Sequence, residues 1–127
     1  MFSHIMVGAN DFDASRKFYD ATFAEIGIKP GVADPLGRIF WVTDSGVFVI
    51  TKPIDGRPAS HGNGATIGFS VESSEQCDAW HAAGVAAGGT SCEDPPGERP
   101  DPLGGNPYYL AYLRDPAGNK LCALKHR

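Results

Sequence analysis

Asp115-Pro116-Ala117-Gly118-Asn119-Lys120-Leu121 is the stretch whose reading decides the fold. Asp and Pro open a tight turn, and Gly supplies the backbone freedom to close it. On either side lie two strand-like runs, the tyrosine-rich Tyr108 to Arg114 and the apolar Lys120 to Lys125, so the stretch joins two strands at the end of the chain. Working backwards, a Pro/Gly-rich loop fills Glu93 to Pro107, and Gly88-Gly89 closes a segment in which Cys77, Trp80, His81, Gly84 and Val85 recur at helical spacing. Ser73-Ser74-Glu75-Gln76 offers that helix a capping box, with Ser73 and Gln76 three apart. The spacing predicts a helix over about 74–87, preceded by an apolar strand from Ala65 to Val71.

The first half repeats this order. A short apolar strand, His4 to Ala9, leads into Asn10-Asp11-Phe12-Asp13, whose side chains can cap a helix start. Phe18, Tyr19, Thr22, Phe23 and Ile26 then share one helical face until Gly27 and Pro30 end the pattern, predicting a helix over about 13–26. Two strand-like runs, Arg38 to Thr43 and Val47 to Lys52, flank the turn Asp44-Ser45-Gly46. Pro53 to Gly64 interrupts all periodicity and reads as a linker or mobile loop. The chain is therefore expected to form one α+β domain over 1–127, with module 1 at about 1–56, a linker at about 57–64 and module 2 at about 65–127. Two βαβββ modules would together make a cupped, eight-stranded mixed sheet with the helices on its convex side.

The 127 residues suit a single core. No apolar run approaches the roughly 20 residues of a membrane helix, and the first residues enter a strand without a secretory signal, so no membrane and a cytoplasmic location are expected. A net charge of −4 without a Lys/Arg patch argues against nucleic acid. Three cysteines, Cys77, Cys92 and Cys122, show no CxxC spacing and fit reduced thiols.

His4 on the first strand, Ser15-Arg16-Lys17-Phe18-Tyr19 on the first helix and the Asp115 to Leu121 turn together resemble the vicinal oxygen chelate superfamily, which includes glyoxalase I, extradiol dioxygenases, fosfomycin-resistance transferases and bleomycin-binding proteins. The resemblance spans essentially the whole chain and implies the paired-module fold, a concave ligand pocket and a homodimer. It also implies metal ligands at equivalent strand positions of both halves. Carried over, these are His4, Val49, Thr66 and Cys122, with Thr51 the alternative to Val49 if the alignment shifts by two. Val49 cannot bind a metal, Thr66 is a weak neutral ligand, and Cys122 stands where glutamate is usual. A catalytic divalent site needs about three protein ligands and an open position. No cofactor is therefore expected; a divalent metal held by His4 and Cys122, serving a lyase, isomerase or dioxygenase, is the alternative.

Strand alternation places His4, Met6 and Gly8 opposite the helix-facing Ile5 and Val7, and Thr66, Gly68 and Ser70 opposite Ile67, Phe69 and Val71. On the penultimate strand Tyr112 shares the pocket side with Arg114. The ligand-binding set read from this pattern is His4, Met6, Thr66, Ser70, Tyr112 and Cys122, around a small organic molecule. Several of these residues have plainer roles open to them. His4 can be a hydrogen-bonded strand histidine, Cys122 a small core side chain with no base to activate it, and Tyr108, Tyr109 and Tyr112 ordinary strand aromatics. Arg38 and Lys120 read first as solvated charges, and His61 as an exposed loop histidine. No nucleophile–base pair is visible, which favours binding over catalysis, although proton transfer by a His, a Tyr and a Cys stays open.

Overall fold

A computed structural model describes residues 1–125, so the expected end of module 2 at 127 lies outside the described residues. Strand β1 (His4–Gly8) leads to helix α1 (Phe12–Ala24), then to β2 (Val32–Ala33), β3 (Ile39–Thr43) and β4 (Gly46–Thr51). Asp11 is the N-cap of α1, its carboxylate accepting from the Ala14 N–H at 3.0 Å, so the helix starts one residue before the expected Asp13. It ends two residues short of Ile26, and Gly27 at φ 81° turns the chain away.

The second half runs through β5 (Ile67–Val71), α2 (Ser74–Ala86), β6 (Thr90–Ser91), β7 (Gly97–Arg99), β8 (Tyr108–Arg114) and β9 (Lys120–Lys125). Ser73 caps α2 by accepting from the Gln76 N–H at 3.0 Å. The Gln76 side chain reaches past the cap to accept from the Glu72 N–H at 2.7 Å, one residue further back than a standard capping box.

Both halves share one topology. β1 lies parallel to β4 and β3 antiparallel to it, with β2 on the far edge; β5 lies parallel to β9 and β8 antiparallel to it, with β6 and β7 both on the far side of β8. The strands hydrogen-bond as a four-stranded and a five-stranded sheet, not as one continuous eight-stranded sheet. Among the described residues pairing stops at β1 and β5, which are therefore sheet edges. The two-residue strands β2 and β6 are too short to show alternation, and β7 falls within the stretch expected to be loop.

One core joins the two halves. From α1 come Phe18, Tyr19 and Phe23, from sheet one Ile39, Trp41, Phe48 and Ile50, from α2 Cys77 and Trp80, and from sheet two Ala111, Leu113, Leu121 and Ala123. The helices meet where Gly84 of α2 lies against Phe18 and Thr22 of α1; a Cβ there would sit 3.1 Å from each and 2.3 Å from Leu113.

The Asp115 turn is a clamp as well as a turn. One Asp115 oxygen accepts the Ala117 and Asn119 backbone N–H groups at 2.9 Å each, and the other accepts the Asn119 side-chain amide at 2.9 Å and the Tyr19 hydroxyl of α1 at 2.5 Å. The Asn119 amide also donates to the Gly8 carbonyl at the end of β1, at 3.1 Å. Burial and the neighbouring Asp115 carboxylate push the Tyr19 phenol well above its ordinary range, so it stays protonated and donating. The linker is tied down too: Asn10 donates to the Ala59 carbonyl at 3.1 Å and accepts its N–H at 2.6 Å, while Gly8 leaves room for the Ala59 methyl.

Candidate functional site

Register determines which side chains look away from the helices. In sheet one His4 pairs with Val47 and Met6 with Val49, which pairs in turn with Phe40, so these residues share the face opposite Ile5, Trp41, Phe48 and Ile50. In sheet two Gly68 and Tyr112 both pair with Cys122, opposite the core residues Leu113, Leu121 and Ala123. His4, Met6, Ser70, Tyr112 and Cys122 thus all lie on the sheet face turned from the helices. Thr66 is exposed and sits one residue before β5.

A cleft of about 1050 Å3 is lined by the edge strands β1 and β5. The α1 exit at Ile26 to Lys29 and the β3–β4 turn also line it. His4 and Ser70 are on its wall; Met6, Thr66, Tyr112 and Cys122 are not. Ser3 Oγ lies 2.8 Å from His4 Nδ1, which leaves Nε2 as the ring nitrogen without a protein partner among the described residues. The floor consists of Phe23, Trp41, Phe48 and Phe69, with Ile5 and Ile67 from the two edge strands; helical spacing puts Phe23, and alternation Ile5, Ile67 and Phe69, simply in the packing. Phe69 stands edge-to-face on Phe23, with ring centroids 5.1 Å apart, and is 5.6 Å from Phe48. The sequence carried one sign of this floor, namely large apolar residues on the helix side of both edge strands.

Cys122 and its surroundings form a separate neighbourhood on sheet two. Burial pushes the Cys122 thiol up to about 11, with the Glu93 carboxylate adding to the effect, so it is protonated at neutral pH. Lys120 Nζ lies 4.9 Å from the Tyr112 ring centroid and pairs with Glu93 at 2.6 Å. Lys120 is thus engaged rather than a free surface charge. Glu93 adopts φ 55°, a left-handed conformation uncommon outside glycine. His61 packs on Gly118 of the turn, where a Cβ would lie 2.8 Å from its Nδ1.

The fold agrees with that of known proteins. The sequence profile of the Glyoxalase/Bleomycin resistance protein/Dioxygenase superfamily matches residues 1–123. The chain belongs to that superfamily. A glyoxalase/bleomycin resistance protein from Albidiferax ferrireducens T118 is 59% identical to it, with 99% of each chain covered and a TM-score of 0.94. Two more distant structures share the fold: a glyoxalase-related enzyme from Fulvimarina pelagi at 22% identity, covering 99% of this chain and 88% of that one with a TM-score of 0.73, and a lactoylglutathione lyase from Agrobacterium tumefaciens at 20% identity, covering 98% and 92% with a TM-score of 0.67. No match was found among curated proteins.

Superfamily membership raises the question of a metal. The positions to which the family resemblance carries the usual ligands, His4, Val49, Thr66 and Cys122, hold an imidazole, an isopropyl group, a hydroxyl and a protonated thiol. Val49 is 1% exposed and lies in register with Phe40 and Met6, so the apolar residue at this position is embedded among apolar neighbours. Thr51 is the next residue of β4 on that face and brings only a hydroxyl, which donates to the Lys52 carbonyl. Among the described residues no three His, Cys, Asp or Glu side chains come together. This donor set does not fit a catalytic divalent ion, which needs about three strong protein ligands. Likewise, no helix among the described residues is long and apolar enough to cross a membrane.

Proposed function

We propose that this superfamily member binds a small organic molecule in the inter-module cleft without using a divalent metal, and that it does so as a cytoplasmic homodimer. The observation supporting this is the cleft itself: about 1050 Å3, floored by core aromatics, with His4 and Ser70 on its wall. Its size compares with the roughly 300–1000 Å3 of small-molecule sites. A homodimer accounts for the other expected contacts. If the open face of sheet one met the open face of a partner's sheet two, His4 and Met6 would stand opposite the partner's copies of Thr66, Tyr112 and Cys122. Binding is favoured over catalysis because the thiol at Cys122 is held protonated and no carboxylate base stands at the usual positions.

A thermal-shift screen of small metabolites on chelator-treated protein tests the reading. The expected result is a ligand that raises the midpoint in the wild type, raises it less in His4→Ala, and is indifferent to added nickel or zinc. Isomerisation of methylglyoxal plus glutathione that requires added metal and disappears in His4→Ala would overturn it in favour of a lyase.

A further inference from the structure

Resting on the binding role above, we propose that the cleft takes an uncharged, flat aromatic molecule carrying one hydrogen-bonding group, with the ring on the aromatic floor and the polar group on His4 Nε2. Three observations carry this. The floor is made of Phe23, Trp41, Phe48 and Phe69, and Phe69 is only half-buried while the other three are in the closed core. Phe69 therefore presents ring surface that the protein does not itself cover, and a flat ring is the shape that extends an edge-to-face cluster. Secondly, among the described residues the charged side chains on the wall besides His4 are Lys29, Asp44 and Glu72. No arginine is among them to hold a carboxylate or phosphate in a two-point grip, and the two carboxylates repel an anion. A cation is repelled by Lys29 and would have to shed its water to reach the apolar rings. Thirdly, His4 Nε2 is a ring nitrogen on the wall without a protein partner among the described residues, and its ring is oriented by the Ser3 contact at Nδ1. A hydroxyl or amide suits it because an imidazole nitrogen can accept or donate.

The test compares three ligands with the same ring system and different charge: 2-naphthol, 2-naphthoate and 2-naphthylmethylamine, titrated calorimetrically into the full chain at neutral pH. The neutral naphthol is expected to bind at least about tenfold more tightly than either ion, and His4→Phe, which keeps an aromatic side chain at the wall, to cost about tenfold, the order of one hydrogen bond made in a dry site. Phe69→Ser should abolish binding. Because Phe69 also touches the core, Ile67→Ser on the same wall serves as a second variant, and each is checked by circular dichroism. Tighter binding of naphthoate or the amine would overturn the ligand class while leaving small-molecule binding intact. Naphthol binding unaffected by all three substitutions would overturn the placement. Failure of all three ligands, alongside a hit in the metabolite screen, would overturn the class alone; failure of both experiments would remove the binding role with it.

Discussion

Asp115 shows at the scale of one residue how much a motif conceals. Its place in an Asp-Pro-Ala-Gly turn is evident from the residues, and the Ala117 and Asn119 N–H bonds to its carboxylate are the local interactions that such turns make. Its bond to Tyr19, 96 positions away in sequence, is not, because nothing local distinguishes a helix tyrosine that packs from one that also donates. Tyr19→Phe keeps the ring among Phe18, Phe23, Trp41 and Phe48 and removes only the hydroxyl, so its effect isolates the clamp. Asp115 keeps its other three donors, and the expected loss is about 1–2 kcal/mol, seen as a lower urea midpoint with an unchanged slope. An unchanged midpoint would show that the hydroxyl contributes nothing to joining the modules. Cys122 gives the converse case. Its face was legible from alternation, and its reading as a small core side chain agrees with its burial, but the Glu93 carboxylate that adds to the rise of its thiol was not legible.

At the scale of elements, the helices were legible to within two residues because their caps and stops are local. Asp11, Ser73 and Gln76 act through neighbouring N–H groups, and Gly27 and Gly88 take up the left-handed backbone at the ends. The three short strands were not, since two or three residues held by pairing to a neighbour have no periodicity of their own. Gly84 was read as one more position on the apolar face of α2, and its reason is tertiary: the two helices approach closely there. Two opposed effects meet in Gly84→Ala. Helix propensity favours alanine by up to about 1 kcal/mol, whereas the new methyl must displace the fully buried Leu113 side chain and press on Phe18 and Thr22, at about 1–3 kcal/mol. Overpacking is expected to win, with a melting temperature several degrees below wild type. A higher melting temperature would mean that the helix contact yields easily.

For the whole molecule, the buried thiols link stability to pH. Burial raises Cys77 to about 12 and Cys122 to about 11 from an ordinary 9.0, and the hydrogen bond to Asp78 raises Tyr109 to about 12 from 10.0. In the unfolded chain these groups lose their protons at lower pH than in the folded one, so above about pH 9 the folded state binds more protons and stability falls as pH rises. Urea midpoints measured from about pH 8 to about pH 10.5 should decline, and the Cys77→Ala, Cys122→Ala double variant should decline less steeply. Identical slopes in the two proteins would show that the thiols are accessible to solvent in the folded state. What the sequence by itself determined is the content of each module: the strand–helix–strand order, the helix ends, and the two faces of β1, β5, β8 and β9. Those follow from alternation, helical spacing and capping, which act over a few residues. Where the modules stand relative to one another was decided only in the tertiary structure, by the Tyr19–Asp115 and Asn119–Gly8 bonds and by Phe23 against Phe69. The separation of the two sheets and the cleft between β1 and β5 are consequences of that placement, and contacts between residues tens of positions apart leave no periodic trace in a single sequence.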